Sequence, residues 1–185
     1  MKIMSIDPST HTGFCVLDLP SLDPHEPEII LEHVSVYHFE PCDDKMDRLL
    51  YGAGHLEEML KEHEPEAVYI EGYSFASKFN HEIMYSIGTM FRLFLRQSGI
   101  PFEEVPPSSV KKFVTGKGTG KKDLMLMKVL SNWGIEIEDD NKADAFAIAM
   151  YAAFKSLYLT NEKGEISRTL VKSIPVQIKN DLKIN

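Results

Sequence analysis

The sequence is short of positive charge and of cysteine, and it has no long apolar run. Its 20 Lys and Arg stand against 28 Asp and Glu, a net charge of −8 that on its face argues against a nucleic-acid partner. Cys15 lies inside an apolar strand pattern and Cys42 at a turn, which is neither a disulfide framework nor a metal-ligand spacing, so both read as free thiols. No stretch approaches the roughly 20 apolar residues that span a bilayer. The opening MKIMSIDPST runs straight into structure without a cleavable-signal pattern, which predicts a cytoplasmic protein. None of the seven histidines stands four residues from another, so there is no zinc-binding helix; His11, in the first turn, reads as a neighbour of phosphate rather than a ligand. A P-loop is missing too: Gly116 and Gly120, followed by Lys121 and Lys122, have three residues between them and no following Ser or Thr. Internal repeats and low-complexity segments are absent.

What remains is 185 residues, enough for one well-buried domain with an appendage. The average charge conceals a gradient. Residues 107–128 carry Lys111, Lys112, Lys117, Lys121, Lys122 and Lys128 against Asp123 alone, a local balance of +5 that leaves −13 elsewhere. This concentration, around the glycine-rich TGKGTGKK, suits a grip on a phosphate backbone, although a solvated lysine-rich loop has the same composition.

KIMSID, FCVLDL and IILEHVSVYHF read as three strands of an antiparallel meander. From Asp43 as N-cap, Met46, Leu49, Leu50, Ala53, Leu56, Met59 and Leu60 recur at helical spacing until Glu64-Pro65 stops the run, which predicts a helix covering a sheet. AVYIEG, reached through that helix, reads as a buried strand parallel to an earlier one. EIMYSIGTMFRLFLRQSG reads as an apolar helix, IPFEEV as a strand, and PSSVKKFV, KKDLMLMKVLSNW and the Ala-rich NKADAFAIAMYAAFKSLY as three further helices. In the last stretch a turn around Lys163-Gly164 with short flanking strands is expected. The fold class is therefore α/β, a five-stranded mixed sheet of three antiparallel strands continued by two parallel ones, flanked by helices. The expected domain spans 1–158, and 159–185 is a C-terminal extension.

Four acids carry the chemistry. Asp7 ends the first strand, Glu71 ends the fourth, and Asp140 and Asp144 open the last helix, on one face by their i, i+4 spacing; Asn141 shares that face. If the strand order is IILEHVS, FCVLDL, KIMSID, AVYIEG, IPFEEV, then Asp7 and Glu71 leave neighbouring parallel strands at the same edge. Clustered carboxylates raise one another's pKa unless a cation offsets the repulsion, and hard divalent cations demand oxygen ligands. Metal-dependent phosphodiester hydrolysis follows. Singly, most of these acids have plainer readings: Asp7 before Pro8 starts a turn, Glu71 is a solvated strand end, and residues 139–141 cap a helix. Asp144 is harder to dismiss, because it sits within the apolar run ADAFAIAM, where a charge facing the core needs a partner.

SIDPSTHTGF, VYIEGYSF, FEEVPPSSVKKFVTGKGTGKKD and DNKADAFAIAM, in this order and at these spacings, resemble the RuvC family of Holliday-junction resolvases, within the RNase H-like superfamily. The resemblance covers roughly residues 1–155, and its most specific segment is the third. It implies that Asp7, Glu71 and Asp144 are metal ligands, and that Lys111 and Lys122 lie near the scissile phosphate. Two departures stand out. The turn between Asp7 and Gly13 is one residue shorter than the family's and has Ser9 where glycine is common. Asn141 occupies a position where the family carries Asp or His, so the fourth ligand is either Asn141 or Asp140.

The resemblance further implies two Mg²⁺ or Mn²⁺ ions per site and a nick with a 5′-phosphate and a 3′-hydroxyl. It implies an aromatic that stacks on an exposed junction base, for which Tyr73 and Phe75 are the candidates, with Lys78 interleaved. The stripe Met84, Ile87, Met90, Phe91, Phe94 and Leu95 reads as helix core or a dimer seam. A four-way junction is nearly two-fold symmetric, so paired cuts predict a C₂ homodimer. The alternatives are another RNase H-like nuclease acting on flaps, forks or RNA–DNA hybrids, and a non-catalytic nucleic-acid-binding module. A sugar-kinase-like ATPase needs a second similar half, for which the chain has no room.

Overall fold

A computed structural model describes the chain except residues 24, 74–80, 118–121, 158–173, 180, 181, 183 and 185, and except the side chains of residues 81, 122 and 123. The order of elements is β1 (Lys2–Asp7), β2 (His11–Ser21), β3 (Glu28–His38), α1 (Lys45–His63), β4 (Ala67–Glu71), α2 (His81–Gln97), β5 (Phe102–Val105), α3 (Pro107–Thr115), α4 (Lys122–Trp133), α5 (Asp140–Ser156) and β6 (Val176–Ile178). The strands and helices expected over residues 1–157 are present. Strand order is β5-β4-β1-β2-β3-β6, with β1, β2 and β3 antiparallel and β4 and β5 parallel to β1, so the five expected strands lie side by side as anticipated.

The sixth strand corrects the strand count. Val176–Ile178 pairs in parallel with Ile29–Leu31 at what would otherwise be the open edge of β3. The expected turn at Lys163-Gly164 and its flanking strands lie outside the described residues.

β1 alternates between two cores, as a central strand covered on both faces must. Met4 and Ile6 join Phe14, Val16, Leu56, Ile87 and Phe91 under α1 and α2. Ile3, with Cys15 and Leu17 from β2, packs under α3, α4 and α5, where Ala143, Ala145, Ala147, Ala149 and Ala152 are all fully buried. Small side chains let α5 lie close against the sheet. Ser5 in the middle of β1 is buried on this face, and its hydroxyl donates to the Ala145 carbonyl at 2.6 Å. That bond ties β1 to the α5 turn that carries Asp144.

The start of α1 differs from expectation in two ways. Its N-cap is Asp44, not Asp43: the Asp44 carboxylate accepts from the Met46 amide at 2.7 Å, which places the first turn one residue later. The apolar stripe also divides. Leu56, Met59 and Leu60 are buried, Gly52 is buried and Leu49 packs on the same core, but Met46 and Leu50 are 61% and 60% exposed and turn away from the sheet. At the other end Glu64, at φ 48°, caps the helix in the left-handed region before Pro65.

Candidate active site

The C-terminal edge of β1 and β4 is where the acids meet. Ile6 is in register with Ile70, so Asp7 and Glu71 are the next residues of two adjacent parallel strands and project to the same face by the two-residue alternation. That face is the one covered by α5. A hydrogen bond joins the Asp7 and Glu71 side chains, and Asp144 lies close enough to act on Glu71 through its charge. Burial first, and the Asp144 charge second, push the Glu71 carboxyl up to about 7, while the bond to Asp7 and the Lys111 ammonium pull it back part of the way.

β2 and α5 meet at the same edge. Asp7 is the register partner of Gly13, and a Cβ on Gly13 would overlap the Asn141 carbonyl oxygen and come within 2.9 Å of the Ala145 Cβ. Glycine here lets the first turn of α5 rest on β2 beside Asp7. Asp139 is the N-cap, accepting from the Asn141 and Lys142 amides at 2.8 and 3.0 Å, and so relieves Asp140 and Asn141 of capping. Both stay half-buried in the first turn. Ser9 does local work in the short turn: its hydroxyl accepts from the His11 amide at 3.0 Å, and the buried Thr12 hydroxyl donates to the Ser9 carbonyl at 2.6 Å. His11 is exposed and packs edge-on against His38 at 4.7 Å, its register partner on β3.

The basic segment adjoins this edge because β5 runs beside β4, with Val105 in register with Glu71, and leads straight into α3. Lys111, half-buried on α3, faces the carboxylates closely enough to lower the Glu71 pKa. Lys112 and Lys117 are exposed. Gly116, at φ 83°, ends α3 in the left-handed conformation that glycine tolerates, with its amide bonded to the Lys112 carbonyl at 2.9 Å. Lys122 begins α4, but its side chain lies outside the described residues, as do Lys121, Phe75 and Lys78 entirely.

Tyr73 is turned onto α2. Its hydroxyl is 2.7 Å from the Thr89 hydroxyl, its ring lies 4.9 Å from that of Tyr85, and the Arg92 guanidinium sits 4.2 Å over its face. Arg92 also donates to the Glu71 carbonyl at 2.8 Å, the Gly88 carbonyl at 2.9 Å and the Glu104 carboxylate at 3.0 Å. Sequence reasoning missed this residue. The only signal was an arginine one turn after Gly88, in the middle of a largely apolar helix.

A family model described as crossover junction endodeoxyribonuclease RuvC matches residues 3–152. The chain belongs to the RuvC family. A RuvC from Synechococcus sp. strain CC9605 is 30% identical over 155 residues, covering 82% of this chain and 97% of that protein. A second, from Synechococcus sp. strain CC9311, is 26% identical over 159 residues, covering 84% and 99%. Among solved structures, Thermus thermophilus RuvC in complex with Holliday junction substrate superimposes with a TM-score of 0.66 at 25% identity, covering 84% of this chain and 97% of that one. The yeast mitochondrial Holliday junction resolvase Ydc2, 12% identical with a TM-score of 0.58, shares the fold, covering 92% of this chain and 85% of that one. RuvC is a family of metal-dependent nucleases, so this chain is a crossover-junction endonuclease of the hydrolase class. β6 and the residues around it lie beyond the family match. Among the described residues no helix is long and apolar enough to cross a membrane.

Proposed function

We propose that this RuvC-family chain resolves four-way DNA junctions by paired phosphodiester hydrolysis at a centre built on Asp7, Glu71 and Asp144, with Mg²⁺ or Mn²⁺ as the working cation. The single observation that carries the reading is the gathering of these three acids at the β1–β4 edge with Lys111 beside them. All the donors are oxygen, and acids gathered this closely suit a hard cation that offsets their charge. The cage is gathered rather than closed: among the described residues no three acid, histidine or cysteine side chains already form a group able to hold an ion.

Bound there, a pair of such ions would supply an activated water and charge stabilisation for the leaving 3′ oxygen. The chain's own residues do the rest. Asp7 and Glu71 hold the strand-end side of the site and Asp144 the helix side, with either Asp140 or Asn141 as the fourth donor. Lys111 offsets charge on the phosphate, and Lys122, at the start of α4, joins it there. Lys112, Lys117 and Lys121 grip the backbone of the arms, and base stacking falls to Phe75, since Tyr73 is engaged by Arg92, Tyr85 and Thr89.

Two symmetric cuts need two sites, and the α1–α2 face supports a second copy as the partner. A groove of about 580 Å³ opens there, lined by Met46, Leu50, Ala53, Tyr85, Met90 and Leu93 among others. Leu93 is 55% exposed, and its neighbours Met46 and Leu50 are as open. Apolar side chains crowded on one exposed face fit a self-complementary seam.

The test is incubation of labelled four-way, forked and linear DNA with Mg²⁺ or Mn²⁺, comparing wild type with Glu71→Gln. Symmetric paired nicks in the four-way substrate, lost in the variant, are expected. Equal cutting of forks without pairing would transfer the assignment to a different branched substrate, and cleavage that survives Glu71→Gln would remove the proposed centre.

A further inference from the structure

We infer that Arg92 is a positioning residue for the metal site: its guanidinium fastens the end of β4 so that the Glu71 carboxylate stays between Asp7 and Asp144. The inference rests on the metal-centre reading above. Three carboxylates gathered at one strand edge repel one another until a cation arrives, so the backbone that carries the central one needs an anchor independent of the cation.

Arg92 is built as that anchor. An ordinary exposed Arg–Glu pair contributes little, but here Glu104 is one of four partners. The others are the carbonyl of Glu71 itself, at 2.8 Å, the carbonyl of Gly88 on its own helix, at 2.9 Å, and the face of the Tyr73 ring, at 4.2 Å. The side chain is only 12% exposed. One planar cation therefore joins the last residue of β4, the residue two positions on, the edge strand β5 and the rigid helix α2. The fork geometry of a guanidinium allows this, and a lysine has no equivalent. Next to the Glu71 carbonyl, the Gly72 amide donates to the Val105 carbonyl at 2.8 Å. Both polar groups of the peptide that follows the ligand are thus held, the amide by β5 and the carbonyl by Arg92.

Gly88 makes the room. A Cβ there would lie 3.0 Å from Arg92 Nη1 and 3.1 Å from Tyr73 Cε1, so a larger residue at this turn of α2 pushes directly on the clamp. Losing the clamp leaves the peptide after Glu71 held by its amide alone, and the repulsion among the carboxylates supplies the force that tilts it. The expected consequence is weaker cation binding with little change in the fold. Residues that orient metal ligands from behind typically affect affinity by roughly 10–100-fold.

The experiment is calorimetric titration of the DNA-free protein with Mn²⁺ alone, alongside its thermal midpoint. Arg92→Met, which keeps the stem and loses the donors, is expected to bind Mn²⁺ roughly tenfold more weakly than wild type, with Arg92→Lys between them. Should Arg92→Met not fold, Gly88→Ala, which leaves the arginine but crowds it, is expected to weaken Mn²⁺ binding in the same direction. A wild-type Mn²⁺ affinity in the folded variant, even with a lowered midpoint, makes Arg92 a purely structural residue and overturns the inference. A wild-type protein that binds no Mn²⁺ overturns the metal centre first, and the clamp with it.

Discussion

Gly13 and Asn141 meet backbone to backbone: β2 and the first turn of α5 lie so close that the Asn141 carbonyl oxygen occupies the space a Gly13 side chain would need. Because Gly13 is paired with Asp7, this contact sets how far the helix carrying Asp144 stands from the strand carrying Asp7. Gly13→Ala must push α5 outward. Overpacking of this kind costs roughly 1–3 kcal/mol, and for a chain of this size each kcal/mol lowers the thermal midpoint by about 2–4 °C. Thermal unfolding is expected to show that loss, together with a larger loss of junction cleavage than the stability change alone accounts for.

The β1–β4 edge is legible in the amino-acid sequence because it follows from strand logic. KIMSID and AVYIEG each end on an acid, and a strand reached through a helix pairs in parallel, so adjacency alone brings Asp7 and Glu71 together. The α5 face follows from helical spacing. β6 is not legible: VQI is three residues without a pattern, and its place depends on the open edge of β3, a property of the assembled sheet. The divided face of α1 is hidden because periodicity reports which side of a helix is apolar, not what covers it. Arg92 is hidden for another reason: two of its partners are backbone carbonyls, which every residue has and no sequence pattern marks.

The raised Glu71 carboxyl makes the metal-free protein sensitive to alkali. Its folded pKa, about 7, lies above the ordinary 4.5, so its contribution is fully present below pH 4.5 and is lost as pH rises through 7. Glu71→Gln removes that dependence. Chemical denaturation without metal is expected to find the variant more stable than wild type at pH 8, by on the order of 1–3 kcal/mol, and the difference should vanish near pH 4.5. Saturating Mg²⁺ or Mn²⁺ should stabilise the wild type at pH 8 and leave the variant nearly unmoved.

His33 produces the opposite slope. Its ring packs at 4.7 Å from that of His63, and its Nε2 lies 2.7 Å from the Ser35 hydroxyl. Burial first, then the neighbouring His63, lowers its pKa from 6.5 to about 4. A depressed folded pKa means stability that is present above 6.5 and is lost as pH falls toward 4. Replacing His33 with Gln is therefore expected to flatten the acid limb of a stability–pH profile while leaving the Glu71-dependent limb in place. A profile whose acid limb is unchanged in the variant would assign that limb to other groups.

Several described residues beyond the family match belong to the same core. Ile174 is 4% exposed among α5 and the sheet, Leu182 and Ile184 pack onto that cluster, and the Lys142 ammonium donates to the Ile184 carbonyl at 2.7 Å. Lys142 lies in the first turn of α5, two residues before Asp144, so this segment braces the helix end that faces Asp7 and Glu71. Truncating a buried isoleucine to alanine typically costs about 2–5 kcal/mol. Ile174→Ala is expected to fall in that range by urea denaturation, although the family match ends before it. Lys142→Met removes one charged hydrogen bond to a half-exposed carbonyl, an effect of about 1 kcal/mol. A near-neutral Ile174→Ala would mean that β6 merely rests on the edge of β3, and that the core closes without it.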